Sequence, residues 1–143
     1  MLRLIGCLIG ITLIFVGCKK SSQSKPQPLR TISPGMVHNL ILQNKNNSSF
    51  HLVDVRTTKE YNEGHLENSI NINWLDSSSK ELYKSISKTD TVVVYCRSGN
   101  RSHSAGKWLK KNGFHHVYNM EGGLLAWTIQ FPTLSASPNQ ERK

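Results

Sequence analysis

Between Leu29 and Pro132 the apolar positions follow two alternating periods, one near 3.6 residues and one continuous or near 2, and each change of period marks a change of element. Ser33-Pro34 supplies a helix cap and a proline at the first helical position. Met36, Val37, Leu40 and Ile41 form the stripe that follows, and Asn44 to Asn47 stop it. Phe50 to Val55 predicts a strand, Thr58 to Tyr61 opens a short helix, and Ile70-Asn71-Ile72 predicts a short strand. Ser78 to Ile86 predicts a helix with Leu82 and Ile86 facing inward. Thr91 to Tyr95 is almost wholly β-branched and apolar, which suits a strand buried on both faces. Ser104, Ala105, Trp108 and Leu109 carry a helical period up to the cap at Asn112-Gly113. His116 to Met120 predicts the last strand, and Gly122-Gly123 turns the chain into Leu124 to Trp127. Strands alternating with helices imply an α/β fold, a parallel sheet flanked by helices on both faces, with ligands taken at the carboxyl ends of the strands.

The ends lie outside this pattern. After Arg3, the run Leu4 to Val16 is mostly apolar and stops at Gly17-Cys18-Lys19-Lys20, the layout of a secretory signal and too short to span a bilayer comfortably. Residues 19–28 hold Lys, Ser, Gln and Pro with almost nothing to bury. The expected organisation is a signal over 1–17, a tether over 18–28, one domain over 29–132 and a loose tail over 133–143. Phe15-Val16-Gly17-Cys18 resembles a bacterial lipobox, which implies cleavage before Cys18 and its lipidation. The domain is then expected at the bacterial cell envelope, held to a membrane by that anchor and facing the periplasm or the exterior.

Charge changes the picture little. Lys and Arg outnumber Asp and Glu 18 to 9, a net +9, but many of the cations lie in the tether and tail. The rest are scattered without interleaved aromatics, so small anions or anionic head groups are the expected partners and nucleic acid is not. Cysteine usage is more telling. With Cys7 removed and Cys18 lipidated, Cys96 is the single free thiol of the domain, in a compartment where oxidation is a standing risk.

Cys96 ends the clearest strand and opens the run Cys96-Arg97-Ser98-Gly99-Asn100-Arg101 ahead of a helix. A strand, a tight turn and a helix N-terminus aim backbone N–H groups at one point above the sulfur, and Gly99 lets the backbone turn inward. These donors, with Arg97 and Arg101 close by, favour the thiolate. The loop is therefore read as an anion cradle around a cysteine nucleophile: Cys96 catalytic, and Arg97, Ser98, Gly99, Asn100 and Arg101 binding the anion. Asp54 and Arg56 are read as an internal brace for loops near the site, since charges at a strand end need partners. His65 is read as structural, and Trp108 and Trp127 as packing. No metal site or cofactor is expected, because His103, His115 and His116 lack ligand spacing and Cys96 has no partner cysteine.

Taken in order, Asp54-Val55-Arg56, Glu60-Tyr61, Gly64-His65-Leu66, Ser69-Ile70-Asn71-Ile72, Cys96 through Arg101-Ser102, and Glu121-Gly122-Gly123 with Ala126-Trp127 resemble a single-domain rhodanese of the rhodanese-like sulfurtransferase family. The resemblance implies transfer of a sulfane sulfur from a small anionic donor such as thiosulfate to a thiol or cyanide acceptor, through a persulfide on Cys96. Related cysteine-dependent phosphatases place five residues between Cys and Arg, whereas four lie between Cys96 and Arg101. A phosphatase or arsenate reductase is thus the lesser alternative, and a membrane-anchored, non-catalytic binding module is the other. Asn73, Glu67-Asn68 and Thr57-Thr58 depart from the family's usual turn residues, which bears on loop geometry more than on chemistry.

Overall fold

A computed structural model describes residues 28–133 and 135. Its centre is a five-stranded sheet of β1 (Arg30–Ile32), β2 (Phe50–Asp54), β3 (Ile70–Asn71), β4 (Thr91–Tyr95) and β5 (His116–Met120), in the order β1-β5-β4-β2-β3. Every pairing is parallel. Helices α1 (Pro34–Gln43), α2 (Thr58–Asn62) and α3 (Asn100–Lys111) fill connections between strands, as does a 3₁₀ helix at Ser78–Ser85, and α4 (Gly123–Gln130) follows β5. The parallel α/β expectation is met.

The β-branched run of β4 takes the central place and feeds both faces of the sheet. Val92 and Val94 pack on one side with Ala105 and Leu109 of α3 and with Tyr83 and Ile86. Val93 and Tyr95 pack on the other with Val37 of α1 and Leu124 and Trp127 of α4. Both helical layers are anchored in this way, and the end of β4 is held rigidly where Cys96 begins.

Five details differ from expectation. Residues 78–85 form a 3₁₀ rather than an α-helix, and its tighter pitch turns Tyr83 inward and leaves Leu82 exposed, while Ile86 is buried as expected. Met36 faces solvent, because the buried stripe of α1 centres on Val37. Ser104 is exposed, and Ser102 and Ala105 take the inner face of α3. The edge strand β1 carries too little apolar pattern to be read in advance, with Ile32 its one buried residue. The chain also stays docked beyond Pro132: the backbones of Ser135 and His65 exchange two hydrogen bonds of 2.8 Å, so the loose tail does not start at Thr133. The signal, Cys18 and nearly all of the tether lie outside the described residues.

Candidate active site

Cys96 follows β4 at its carboxyl end and is 1% exposed, so its thiol sits at the bottom of the loop. The chain turns back at Gly99, where φ is +95°, and enters α3 at Asn100. That left-handed step suits glycine and aims the Gly99 N–H at the sulfur, 3.1 Å away. The Ser102 hydroxyl lies 3.5 Å from the sulfur and 3.0 Å from the Gly99 carbonyl oxygen. Burial pushes the thiol up. Donation from the Ser102 hydroxyl and from the backbone N–H groups of Ser102, Ser98 and Gly99 outweighs it, so Cys96 sits below the ordinary thiol value.

The loop carbonyls are occupied from behind. At the start of α4 the Leu124 N–H donates to the Cys96 oxygen at 2.9 Å and the Leu125 N–H to the Arg97 oxygen at 3.0 Å. With the oxygens turned to α4, the N–H groups are left to face the sulfur. Contact this close requires glycine at 123: φ is +56°, and a Cβ there would lie 2.7 Å from the Arg97 carbonyl carbon and closer still to the Cys96 oxygen.

Arg101 points from α3 across to α2, where its Nη1 and Nη2 donate to Glu60 Oε2 and Oε1 at 2.8 and 2.7 Å. Glu60 is fixed in turn by a capping box, accepting from the Thr57 N–H and hydroxyl at 3.0 and 2.9 Å. Thr57 thus sets the turn geometry at one of the unusual positions. Hydrogen bonding from Arg101 is the largest influence on Glu60 and brings its carboxyl down to about 2. The same bonds raise the Arg101 guanidinium, as does the negative charge of the Cys96 sulfur facing it.

Of the residues singled out from sequence, Cys96, Ser98, Gly99 and Arg101 converge at the sulfur or carry the loop around it. Arg97, Ser98 and Asn100 present exposed side chains at the rim. Asp54 and Arg56 stand apart, one strand over, where β2 pairs with Tyr95 of β4. Asp54 is fully buried, its carboxylate accepts from the Arg56 guanidinium at 2.7 to 3.0 Å, and Arg56 reaches on to the Gly64 oxygen at 2.6 Å. This geometry is a brace. His65 stacks on Tyr61 with ring centroids 3.8 Å apart, and its Nδ1 lies 2.9 Å from the Tyr61 oxygen.

Sequence reasoning placed Glu60, Ser102, Gly122 and Gly123 in the family pattern, and the two glycines at a turn, but assigned none of them to the site. The Thr57-x-x-Glu60 spacing is a legible capping signal; the hydroxyl at Ser102 and the fit at Gly123 depend on tertiary contact. An open cleft of about 470 Å³ runs beside the loop, past Ser98, Asn100, His103 and Glu121. A separate groove of about 430 Å³ between α1 and α4, lined by His38, Trp127 and Phe131, contains no residue of the loop. Among the described residues no group of three or more His, Cys, Asp or Glu is placed to hold a metal ion.

Known proteins share this fold. The rhodanese-like domain family model matches residues 37–130. A tRNA uridine(34) hydroxylase of Buchnera aphidicola is 38% identical over 80 residues, covering 52% of this chain and 24% of that protein. Its Escherichia coli namesake is 35% identical over 80 residues, covering 52% and 23%. The chain thus matches about a quarter of the length of these curated relatives. Among solved structures, a rhodanese-like domain protein from Staphylococcus aureus superposes with a TM-score of 0.63 at 26% identity, covering 76% of this chain and 99% of its own. A rhodanese-related protein from Thermoplasma volcanium gives 0.61 at 28% identity, covering 76% and 99%. With the family model spanning most of the folded region and the same fold in these structures, this chain belongs to the rhodanese-like domain family.

Proposed function

We propose that the protein is a sulfurtransferase that carries a sulfane sulfur as a persulfide on Cys96. The observation that carries this reading is the cradle itself: a buried sulfur below its ordinary thiol value, facing the Gly99 N–H and the Ser102 hydroxyl. The thiolate attacks the outer sulfur of thiosulfate, an S–S bond forms to Cys96, and sulfite leaves with the electron pair of the bond that breaks. A thiolate or cyanide then attacks the outer sulfur of the persulfide, taking it as a new persulfide or thiocyanate and returning the Cys96 thiolate. The inner N–H groups stabilise the anion without reorganising. Arg97 and Asn100 at the rim meet the donor's sulfonate end, and Arg101 holds the loop. No general base is needed when the thiolate is preformed. The curated hydroxylases match this chain over only about a quarter of their length, so the reading rests on the loop rather than on their name.

We also propose that a lipidated Cys18 holds the domain at the bacterial cell envelope, a reading supported by the apolar run before it and the polar tether after it.

Peptide-level mass measurement tests the chemistry. After incubation with thiosulfate the peptide bearing Cys96 gains one sulfur atom, and cyanide removes it with release of thiocyanate. No gain on a folded protein with a free thiol would move the reading to a binding module, and full sulfur transfer by Cys96→Ala would overturn the Cys96 persulfide.

A further inference from the structure

All five strands run in parallel, so the domain has two distinct poles. Cys96 lies at the carboxyl pole. At about 3.3 Å per residue, the five residues of β4 put it roughly 17 Å from the amino pole, where Asp90 precedes the strand. The amino pole gathers basic side chains that the site does not use. Lys88, Lys111, His115 and His116 are all exposed there, on the loops leading into β4 and β5, at the start of β5 and at the end of α3. The loops before β4 and β5 and the end of α3 are tied together here. The His115 N–H donates to the Lys88 oxygen at 2.8 Å, Lys110 Nζ donates to the His115 oxygen at 2.8 Å, and Lys88 Nζ would lie 3.6 Å from a Cβ at Gly113. The acid nearest in the chain, Asp90, is engaged by His51 at 2.9 Å. Favourable charge at a helix C-terminus accounts for Lys110 and Lys111. It does not account for Lys88, His115 and His116, which have no ion pair among the described residues.

The chain enters the domain on this same side. Leu29 leads into β1 and packs over Gly106 of α3, and Arg30 follows with its guanidinium 5.5 Å from the Tyr118 ring centre. We propose that this basic pole docks on an anionic phospholipid surface, turning Cys96 away from the membrane toward its donor and acceptor. The inference rests on the envelope-anchor reading, which supplies the surface. A tether of eleven residues reaches at most about 40 Å, so the anchored domain meets head groups at high effective concentration and a few cations suffice to orient it. Each neutralised lysine lowers the ratio of docked to undocked protein about fivefold.

The test uses the full chain in vesicles of 30% phosphatidylglycerol in phosphatidylcholine, and in pure phosphatidylcholine, with lysine acetylation rates read by mass spectrometry. Lys88 and Lys111 react at least threefold more slowly on the anionic vesicles, while Lys59, on α2 just past the carboxyl end of β2, is unchanged. Protection disappears in 1 M NaCl, where screening acts over about 3 Å. Lys88→Gln with Lys111→Gln leaves persulfide formation intact but leaves Lys59 and the remaining lysines equally reactive on both vesicle types. Equal rates for the parent on the two vesicles, or equal protection of Lys59, overturn the proposal. Protection by polyuridylate without protection on vesicles overturns it in favour of nucleic acid. The mass of the N-terminal peptide reports acylation of Cys18 separately, so an acylated chain with an unprotected pole refutes docking and leaves the anchor standing.

Discussion

Arg101 and Glu60, 41 residues apart in sequence, meet in a two-armed ion pair of 2.7 and 2.8 Å that ties the helix after the cysteine loop to the helix after β2. The pair makes Arg101 more a strut than a free cation, and its strength depends on pH. Glu60 is brought from its ordinary 4.5 to about 2 in the fold, so its contribution is fully present above about pH 4.5 and is lost as pH falls toward 2. Both side chains are about a quarter exposed, which limits the contribution to about 1–2 kcal/mol. Arg101→Gln therefore lowers stability to urea by that amount at pH 7, and its deficit against the parent shrinks between pH 4.5 and 2. A deficit independent of pH would assign the loss to packing.

Ser102 bears on the sulfur directly. In Ser102→Ala the hydroxyl is gone and burial of the thiol is opposed by backbone donors alone. The midpoint of the pH profile for alkylation of Cys96 by iodoacetamide is expected to rise toward the ordinary thiol range. Because the methyl group fits the same space, the urea midpoint changes little. An unmoved alkylation profile would show that backbone N–H groups suffice to hold the thiolate.

Gly123 has no room for a side chain against the cysteine loop. Gly123→Ala must push the Cys96 and Arg97 carbonyls away from α4 and strain a left-handed residue, at a cost of about 2–4 kcal/mol. Sulfur loading of Cys96 falls with it. Gly35→Ala is the control: its Cβ would meet only Gln130 Oε1 at 3.7 Å, and helix propensity gives a gain of up to about 1 kcal/mol.

The Asp54–Arg56 brace is buried, so removing one partner leaves a charge without compensation. Arg56→Met is expected to cost about 3–5 kcal/mol. Adding Asp54→Asn recovers part of that loss, whereas two independent sites would add. A urea double-mutant cycle reads the difference.

What could be read from the chain in advance was local. Thr91 to Tyr95 announces a central strand because β-branched residues fill both its faces, and Cys96 through Arg101 announces a cradle because the turn and the helix start are adjacent in sequence. Asp54 and Arg56 are two residues apart and could be paired on charge alone. Glu60 and Arg101 could not, since nothing in sequence says that α2 and α3 begin side by side. The same limit hid the contact of Gly123 with the Cys96 loop. Leu82 was misplaced for a different reason: an α-period assigned to a 3₁₀ turn rotates the inward position by one residue, to Tyr83.

Tyr83 carries the last prediction. Its ring is buried against Trp108 and Phe114, at centroid distances of 5.8 and 6.3 Å, and its hydroxyl is buried with no hydrogen-bond partner among the described residues. Burial pushes the phenol well up, so it stays neutral. An unpaired buried hydroxyl costs about 1–3 kcal/mol, and replacing it by hydrogen keeps the ring packing. Tyr83→Phe should therefore leave the urea midpoint unchanged or raise it. Tyr83→Ala opens a cavity under α3 and costs about 3–5 kcal/mol, while Leu82→Ser, on the exposed neighbour, changes stability by no more than about 0.5 kcal/mol. A large loss in Tyr83→Phe would mean that the hydroxyl has a partner in solution, and a large loss in Leu82→Ser would restore the α-helical reading of this segment.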